Sequence, residues 1–288
     1  MENEIELKIM LKPENISTIE TWFQSLNVIS QSIDILGNTY YDSNDFYFEK
    51  NQMGLRIRNK NNTYEFTLKM KGEIVGGLHV RPEYNLPLTN NKPDLKSLVS
   101  YFNLDIPETE NLHNNLVPIF STDFTRKTYL ISFQNSEIEI AIDQGIIKNK
   151  DDESPICEIE FELKEGSIAD LFNLLTIMPK VDGMWLSSLS KAQRGYWVGN
   201  AEKIAKELDK LTACKLEDLS DLQKYQITQT IADFIRLTDN NILTEKYYSV
   251  TNYQHSDIKN IKNEIDSADY LSHQITLLQK FYLTTSKY

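Results

Sequence analysis

Several stretches of this 288-residue chain set charged side chains two positions apart. Glu4, Glu6 and Lys8 alternate with Ile5, Leu7 and Ile9, and Glu158, Glu160 and Glu162 alternate with Ile159 and Phe161. Glu137, Glu139 and Asp143 share one parity, as do Arg56 with Arg58, Lys69 with Lys71, and Arg81 with Glu83. Alternate side chains of a strand project to opposite faces, so each stretch has one apolar and one charged face. One such strand is an ordinary solvated face; the recurrence, with both signs, points to chemistry. The planar fork of arginine matches phosphate oxygens with two parallel hydrogen bonds. Paired carboxylates suit a hard divalent cation such as Mg²⁺ or Mn²⁺. Turned inward without a cation, such pairs would be costly. A polyphosphate with its metal ions reconciles both sets: phosphates satisfy the basic wall, and metal ions bridge them to the acidic one.

The positioning elements follow from the same alternation. Strands are predicted near residues 4–9, 36–42, 54–58, 63–70, 79–84, 120–133, 137–143 and 156–163. The polar connection 59–62 makes a hairpin of two of them. Eight or so amphipathic strands can form a sandwich with a polar outside or a closed barrel with a polar inside. Ile16, Ile19, Phe23 and Leu26 recur at helical spacing after Pro13, predicting a helix over 13–27. Asp94 caps a predicted helix over 95–102, Ser167 caps one reaching 178, and residues 187–196 read as a short capped helix. Beyond residue 200 only helical periodicity remains, and glycine is absent. A boundary near Asn200 therefore divides residues 1–200 from an all-α region over 201–288.

Composition narrows the function classes. Hydrophobic residues make up 40% and charged residues 25%, as in an ordinary globular protein. A net charge of −12 argues against general nucleic-acid binding but leaves room for a local basic pocket. Cys157 and Cys214 supply neither a disulfide framework nor metal-thiolate spacing, and both are expected reduced. The chain opens directly into a charged strand, and no apolar run is long enough to span a bilayer, so a cytoplasmic location without membrane partners is the expectation. His79 is expected to be an exposed strand histidine, Tyr40 and Tyr41 to be core or wall residues, and Cys157 to point into the outer packing layer.

In order along the chain, Glu4-x-Glu6-x-Lys8, Tyr40-Tyr41-Asp42, Leu55-Arg56-Ile57-Arg58, Thr67-Leu68-Lys69, Arg81-Pro82-Glu83-Tyr84, Arg126, Glu139-Ile140-Ala141-Ile142-Asp143-x-Gly145, Glu158-Ile159-Glu160-x-Glu162-Leu163 and Ser190-Lys191-Ala192-x-Arg194-Gly195-Tyr196 resemble the CYTH superfamily, the triphosphate tunnel metalloenzymes. The wording around 76–84 and 120–124 resembles its bacterial inorganic triphosphatase subgroup. The resemblance implies an α+β fold: an eight-stranded antiparallel β-barrel tunnel with flanking helices, followed by the all-α region. It implies that Glu4 and Glu6 hold one Mg²⁺ or Mn²⁺, and that Glu158 and Glu160, helped by Asp143, hold a second. Lys8, Arg56, Arg58, Lys69, Arg81, Arg126, Lys191 and Arg194 would grip a small triphosphate, with Lys8, Glu160 and Lys191 nearest the chemistry and Lys191 on a helix plugging the tunnel. The implied reaction is cleavage of tripolyphosphate to pyrophosphate and phosphate. Thiamine or nucleotide triphosphate hydrolysis, class IV-type adenylate cyclisation, and polyphosphate binding without turnover are the competing readings. Members of the subgroup join this domain to a helical CHAD domain that is longer and rich in basic residues. Here the tail is slightly acidic, with Arg236 its one arginine. It resembles a partial CHAD-like bundle, which weakens polyphosphate targeting and leaves packing or oligomerisation through its apolar stripes as the alternative.

Overall fold

The computed structural model describes residues 3–238, 240–251 and 258–285. Its strands are β1 (Asn3–Leu11), β2 (Val28–Asp42), β3 (Gly54–Lys60), β4 (Thr63–Lys69), β5 (Glu73–Val75), β6 (Leu78–Leu88), β7 (Val117–Phe133), β8 (Ser136–Asn149), β9 (Asp152–Glu165) and β10 (Met184–Leu186). They pair in the order β10-β1-β9-β8-β7-β2-β3-β4-β6-β5, and β1 also pairs with β6. That last pairing closes eight antiparallel strands into a barrel, leaving β5 and β10 as short additions at its rim. Closure removes the exposed edges an open sheet would present.

Both faces of the wall are buried. Leu7, Ile9, Ile138, Ile140, Ile142, Ile159 and Phe161 point outward into an apolar core. That core is covered by α1 (Ile16–Phe23) and α5 (Ile168–Ile177), through Ile16, Ile19, Phe23, Leu171 and Leu175. The opposite parity, with Glu6, Lys8, Asp143, Glu158 and Glu160, turns inward and is also buried. A second core under β3 and β4 is closed by α2 (Tyr47–Lys50), α3 (Leu95–Phe102) and α4 (Thr109–Asn114). Asp94 starts α3 by accepting from the Ser97 amide at 3.0 Å, and Ser167 starts α5 by accepting from that of Ala169 at 3.2 Å.

The short strands β5 and β10 and the last six residues of β8 had no counterpart in the sequence reading, and three further elements differ from it. The predicted helix over 13–27 is a 3₁₀ turn, Pro13–Asn15, followed by α1, which ends at Phe23. β2 starts eight residues earlier than predicted, at Val28, because β7 pairs with it along nearly its whole length. The early half buries little, with Ile33 69% and Ile35 74% exposed, so alternation carried no burial signal there. Residues 187–190 form a turn after β10, and the helix α6 (Lys191–Trp197) begins at Lys191.

The tail folds as α7 (Ala201–Ala213), α8 (Asp221–Thr238), α9 (Asn241–Thr251), α10 (Ile258–Ile265) and α11 (Ala268–Thr285). Ile231, Phe234, Ile235, Leu243, Tyr247, Ile261 and Ile265 make a core of its own. Tyr225, Leu271, Ile275 and Leu278 instead join the core on the outer wall of the barrel.

Candidate active site

Strand register assembles the inner wall. β1 lies between β6 and β9, which sets Lys8 opposite Glu160, Glu6 opposite Glu162 and His79, and Glu4 opposite Arg81. β8 sets Asp143 between Arg126 of β7 and Glu158 of β9. Side chains directly opposite each other in antiparallel strands share a face. The result is a cavity of about 1190 Å³ lined by Glu4, Glu6, Lys8, Arg56, Arg58, Lys69, Arg81, Arg126, Glu160 and Lys191. Asp143 and Glu158 lie behind this lining, both fully buried.

The charges form two clusters. In the first, Asp143, Glu158 and Glu160 offer carboxylate oxygens within 4.8 Å of one another. The Lys191 ammonium stands among them, 2.6 Å from Asp143 and 2.9 Å from Glu160, and also contacts Glu158. Lys8 approaches Glu160 at 3.4 Å and Glu6 at 3.6 Å. Arg126 donates two bonds to Asp143, at 2.7 and 2.6 Å, and one to Glu160 at 2.5 Å, while Arg194 pairs with Glu158. In the second cluster Lys69 bridges Glu4 at 2.6 Å and Glu83 at 2.8 Å; Arg81 reaches Glu4 at 3.3 Å and Arg56 reaches Glu83 at 3.7 Å.

These pairings set the protonation states. Burial alone would push the Lys191 ammonium down; Asp143, Glu158 and Glu160 more than reverse that and hold it well up. Burial would raise Glu160, yet Lys191, Arg126 and Lys8 hold it far below the usual carboxylate range. Glu83 is lowered the same way by Lys69 and Arg56. Arg58 is different. Its Nε donates to the Asn38 side-chain oxygen at 2.9 Å, and it forms no ion pair among the described residues. Burial, then repulsion from Arg56 and Arg126, lowers it to about 10.

Helix α6 carries Lys191 into the end of the tunnel, and its placement is over-determined. Ser190 and Gln193 form a capping box at its start, with the Gln193 amide 3.1 Å from the Ser190 hydroxyl. Gly195 lies so close to Phe120 that a Cβ would stand 2.1 Å from its ring. The Tyr196 hydroxyl donates to Asp42 at 2.6 Å, and Asp42 also accepts from the amides of Phe48 and Glu49. Two motifs more than 150 residues apart thus meet in one structural bond.

The arrangement brings every sequence-predicted site residue to the inner wall or directly behind it. Two positions differ from their reading or escaped it. His79 is fully buried on the inner face rather than exposed, with both ring nitrogens lacking a hydrogen-bond partner among the described residues. Burial, then the neighbouring Lys8 and Arg81, keeps it neutral. Its parity with Arg81 and Glu83 was the available signal. Asn38, which orients Arg58, lies two residues before Tyr40 and is itself uncharged, so a search for charged alternation passed over it. Cys157 points into the outer core as expected, and burial raises its thiol to about 11.

Whether a divalent cation fits can be asked of the side chains themselves. The Lys191 ammonium already stands where three carboxylates converge, so that position accepts positive charge. Glu6 Oε1 is buried without a hydrogen-bond partner among the described residues, with the Lys8 ammonium 3.6 Å away, so it keeps capacity to ligate. An all-oxygen carboxylate set is the donor chemistry of Mg²⁺ and Mn²⁺.

A closed antiparallel barrel with acidic and basic residues interleaved on its inner wall, and a lysine-bearing helix at one end, defines a charged-tunnel protein. The chain belongs to the CYTH domain family, which matches residues 2–196. It is 41% identical over 214 residues to an inorganic triphosphatase of Haemophilus influenzae, an alignment covering 73% of this chain and 59% of that relative. The chain thus spans less than two thirds of the relative's length. Among solved structures it is similar in fold to a putative adenylyl cyclase from Hippeastrum described as having a dominant triphosphatase activity, at 15% identity and a TM-score of 0.45 over 60% of this chain and 84% of that one. A putative adenylate cyclase from Bacillus halodurans matches at 21% identity and a TM-score of 0.39 over 62% and 90%. No helix among the described residues is long and apolar enough to cross a membrane.

Proposed function

We propose that this protein is a metal-dependent inorganic triphosphatase that cleaves tripolyphosphate to pyrophosphate and phosphate inside the tunnel. The observation that carries the reading is the buried carboxylate triad, Asp143, Glu158 and Glu160, set at and directly behind the wall of a cavity lined by lysine, arginine and glutamate. Pure anion binding would not require those carboxylates. The relative's description as an inorganic triphosphatase supports the same reading.

Glu4, Glu6, Asp143, Glu158 and Glu160 would hold Mg²⁺ or Mn²⁺, as two ions. Bound there, such ions would supply neutralisation of phosphate charge and acidification of a water. The remaining work falls to side chains, and phosphoryl transfer asks chiefly for positioning and charge stabilisation. Arg58, which forms no ion pair among the described residues, takes the first phosphate oxygens. Arg56, Lys69, Arg81, Arg126 and Arg194 exchange carboxylate partners for phosphate. Lys8 and Lys191 sit nearest the triad and stabilise the charge that develops there. Glu160, kept deprotonated despite its burial by Lys191, Arg126 and Lys8, presents its carboxylate oxygens to the reacting end of the tunnel.

Phosphate release from tripolyphosphate, pyrophosphate, ATP, thiamine triphosphate and long-chain polyphosphate, each with Mg²⁺, Mn²⁺ or chelator, tests this. Fast metal-dependent release from tripolyphosphate is expected. Preference for ATP or thiamine triphosphate, cyclic AMP as product, or tight binding of polyphosphate without turnover would each replace the reading.

A further inference from the structure

We infer that the helical tail sets the position of the plug lysine, with Asp233 of α8 as the positioning residue. Asp233 is 5% exposed, and one of its oxygens accepts from the Ser187 hydroxyl at 3.2 Å, the Ser188 amide at 3.1 Å and the Ser188 hydroxyl at 3.2 Å. The Ser187 hydroxyl in turn accepts from the Leu189 amide at 3.2 Å. The next residue, Ser190, caps α6, and Lys191 is the first residue of that helix. Only Leu189 and Ser190 separate the anchored turn from the ammonium that contacts all three carboxylates.

The turn is held from both sides. β10 pairs with Ile9, Met10 and Leu11 of β1, directly after Lys8. Across from it stands α8, fixed by Arg236, which pairs with Asp266 at 2.8 Å and lies over the Trp185 ring at 4.9 Å. Phe234, beside Asp233, packs on Trp197 at the far end of α6 with ring centroids 5.1 Å apart. Helix α8 therefore brackets α6 at both ends. Its other fully buried positions here, Ile231, Ala232, Phe234 and Ile235, are apolar. A carboxylate among them is unfavourable for burial as such. Arg236 of the same helix stands 3.5 Å from its other oxygen, and its three hydrogen-bond donors, all from Ser187 and Ser188, assign it to fixing that turn. The geometric claim stands on these contacts alone; its catalytic consequence rests on the triphosphatase reading.

The test uses the full chain and the variants Asp233→Ala, Asp233→Asn and Ser188→Ala. Competitive acetylation read by mass spectrometry reports the accessibility of Lys191 against the exposed Lys210, without any turnover. Lys191 labelling is expected to rise at least tenfold in Asp233→Ala, to rise less in Ser188→Ala, and to stay near the parent in Asp233→Asn, which keeps an acceptor oxygen. In parallel, kcat on tripolyphosphate is expected to fall at least tenfold in Asp233→Ala and to recover in Asp233→Asn. A Lys191→Ala background should absorb the Asp233→Ala loss, since both act through one ammonium. Unchanged labelling in Asp233→Ala, or losses that add in full, would overturn the positioning role. Altered labelling with no turnover in the parent would instead remove the triphosphatase reading and leave the positioning intact. If Asp233→Ala does not fold, Ser188→Ala decides the question by the same labelling, with a Lys191 signal equal to the parent's counting against it.

Discussion

At the scale of single residues, the tunnel distinguishes cations already in ion pairs from Arg58, which has none among the described residues. Lys191, Arg126 and Lys69 each touch at least two carboxylate oxygens, whereas Arg58 has Asn38. Replacing Arg58 by alanine removes a ready phosphate donor without leaving a carboxylate stranded. We expect a KM for tripolyphosphate raised tenfold or more, consistent with about 1.5–3 kcal/mol for a charged hydrogen bond, with a near-normal melting temperature. An unchanged KM would take Arg58 out of the binding wall. Asp233 supports a prediction of another kind. Burial raises its acid to about 6, against the opposing pull of Arg236 and the serine donors, from an ordinary value of 3.8. A group so raised favours the folded state while protonated, so its contribution is intact below pH 3.8 and lost as pH rises through 6. Asp233→Asn should therefore gain stability relative to the parent, by up to about 3 kcal/mol between pH 4 and 7, since one unit corresponds to about 1.4 kcal/mol. Parallel stability curves for the two proteins would show that Asp233 does not titrate in this way.

Elements are where sequence and structure part company in an instructive manner. The alternation in β1, β8 and β9 was legible because the outer parity is uniformly apolar while the inner one is charged. The site could therefore be read largely from parity, as Glu4, Glu6, Lys8, Asp143, Glu158 and Glu160 illustrate. The first half of β2 could not, because Ile33 and Ile35 are exposed and only pairing with β7 holds that segment straight. His79 was misplaced because its parity with Arg81 and Glu83, which puts it on the tunnel face, was outweighed by the commoner case of a strand histidine facing water. The Asp233 anchor was invisible for a different reason: it depends on α8 meeting the 187–190 turn, a contact across some 45 residues with no local signature. Helix α6 offers the sharpest test at this scale. Gly195→Ala would press a methyl into Phe120, and we expect a loss of about 1–3 kcal/mol with a displaced plug and reduced kcat. Phe120→Leu in the same chain should restore part of both; a silent Gly195→Ala would show that α6 can shift freely.

For the whole molecule, the shared apolar layer is decisive. Leu271, Ile275 and Leu278 of α11 lie in the same core as Leu7, Ile9 and Phe161 of the barrel. Leu271→Ala should therefore cost about 2–5 kcal/mol and lower the melting of barrel and tail together, because the cavity opens between them. Circular dichroism and the fluorescence of Trp22, which sits on the barrel side of that core, should report one coincident transition. A lower transition seen only by circular dichroism would mean that the tail unfolds separately. The paired inner wall has a further consequence. With each lumen cation but Arg58 already in an ion pair among the described residues, a triphosphate would not enter a bare positive field; it would displace fixed counter-ions, as on an ion-exchange resin. Loading and release then depend on a difference between two salt-like states rather than on attraction alone. On the triphosphatase proposal, such a lumen would favour rapid turnover over tight retention, and it would let any small multivalent anion of similar spacing compete for the same column.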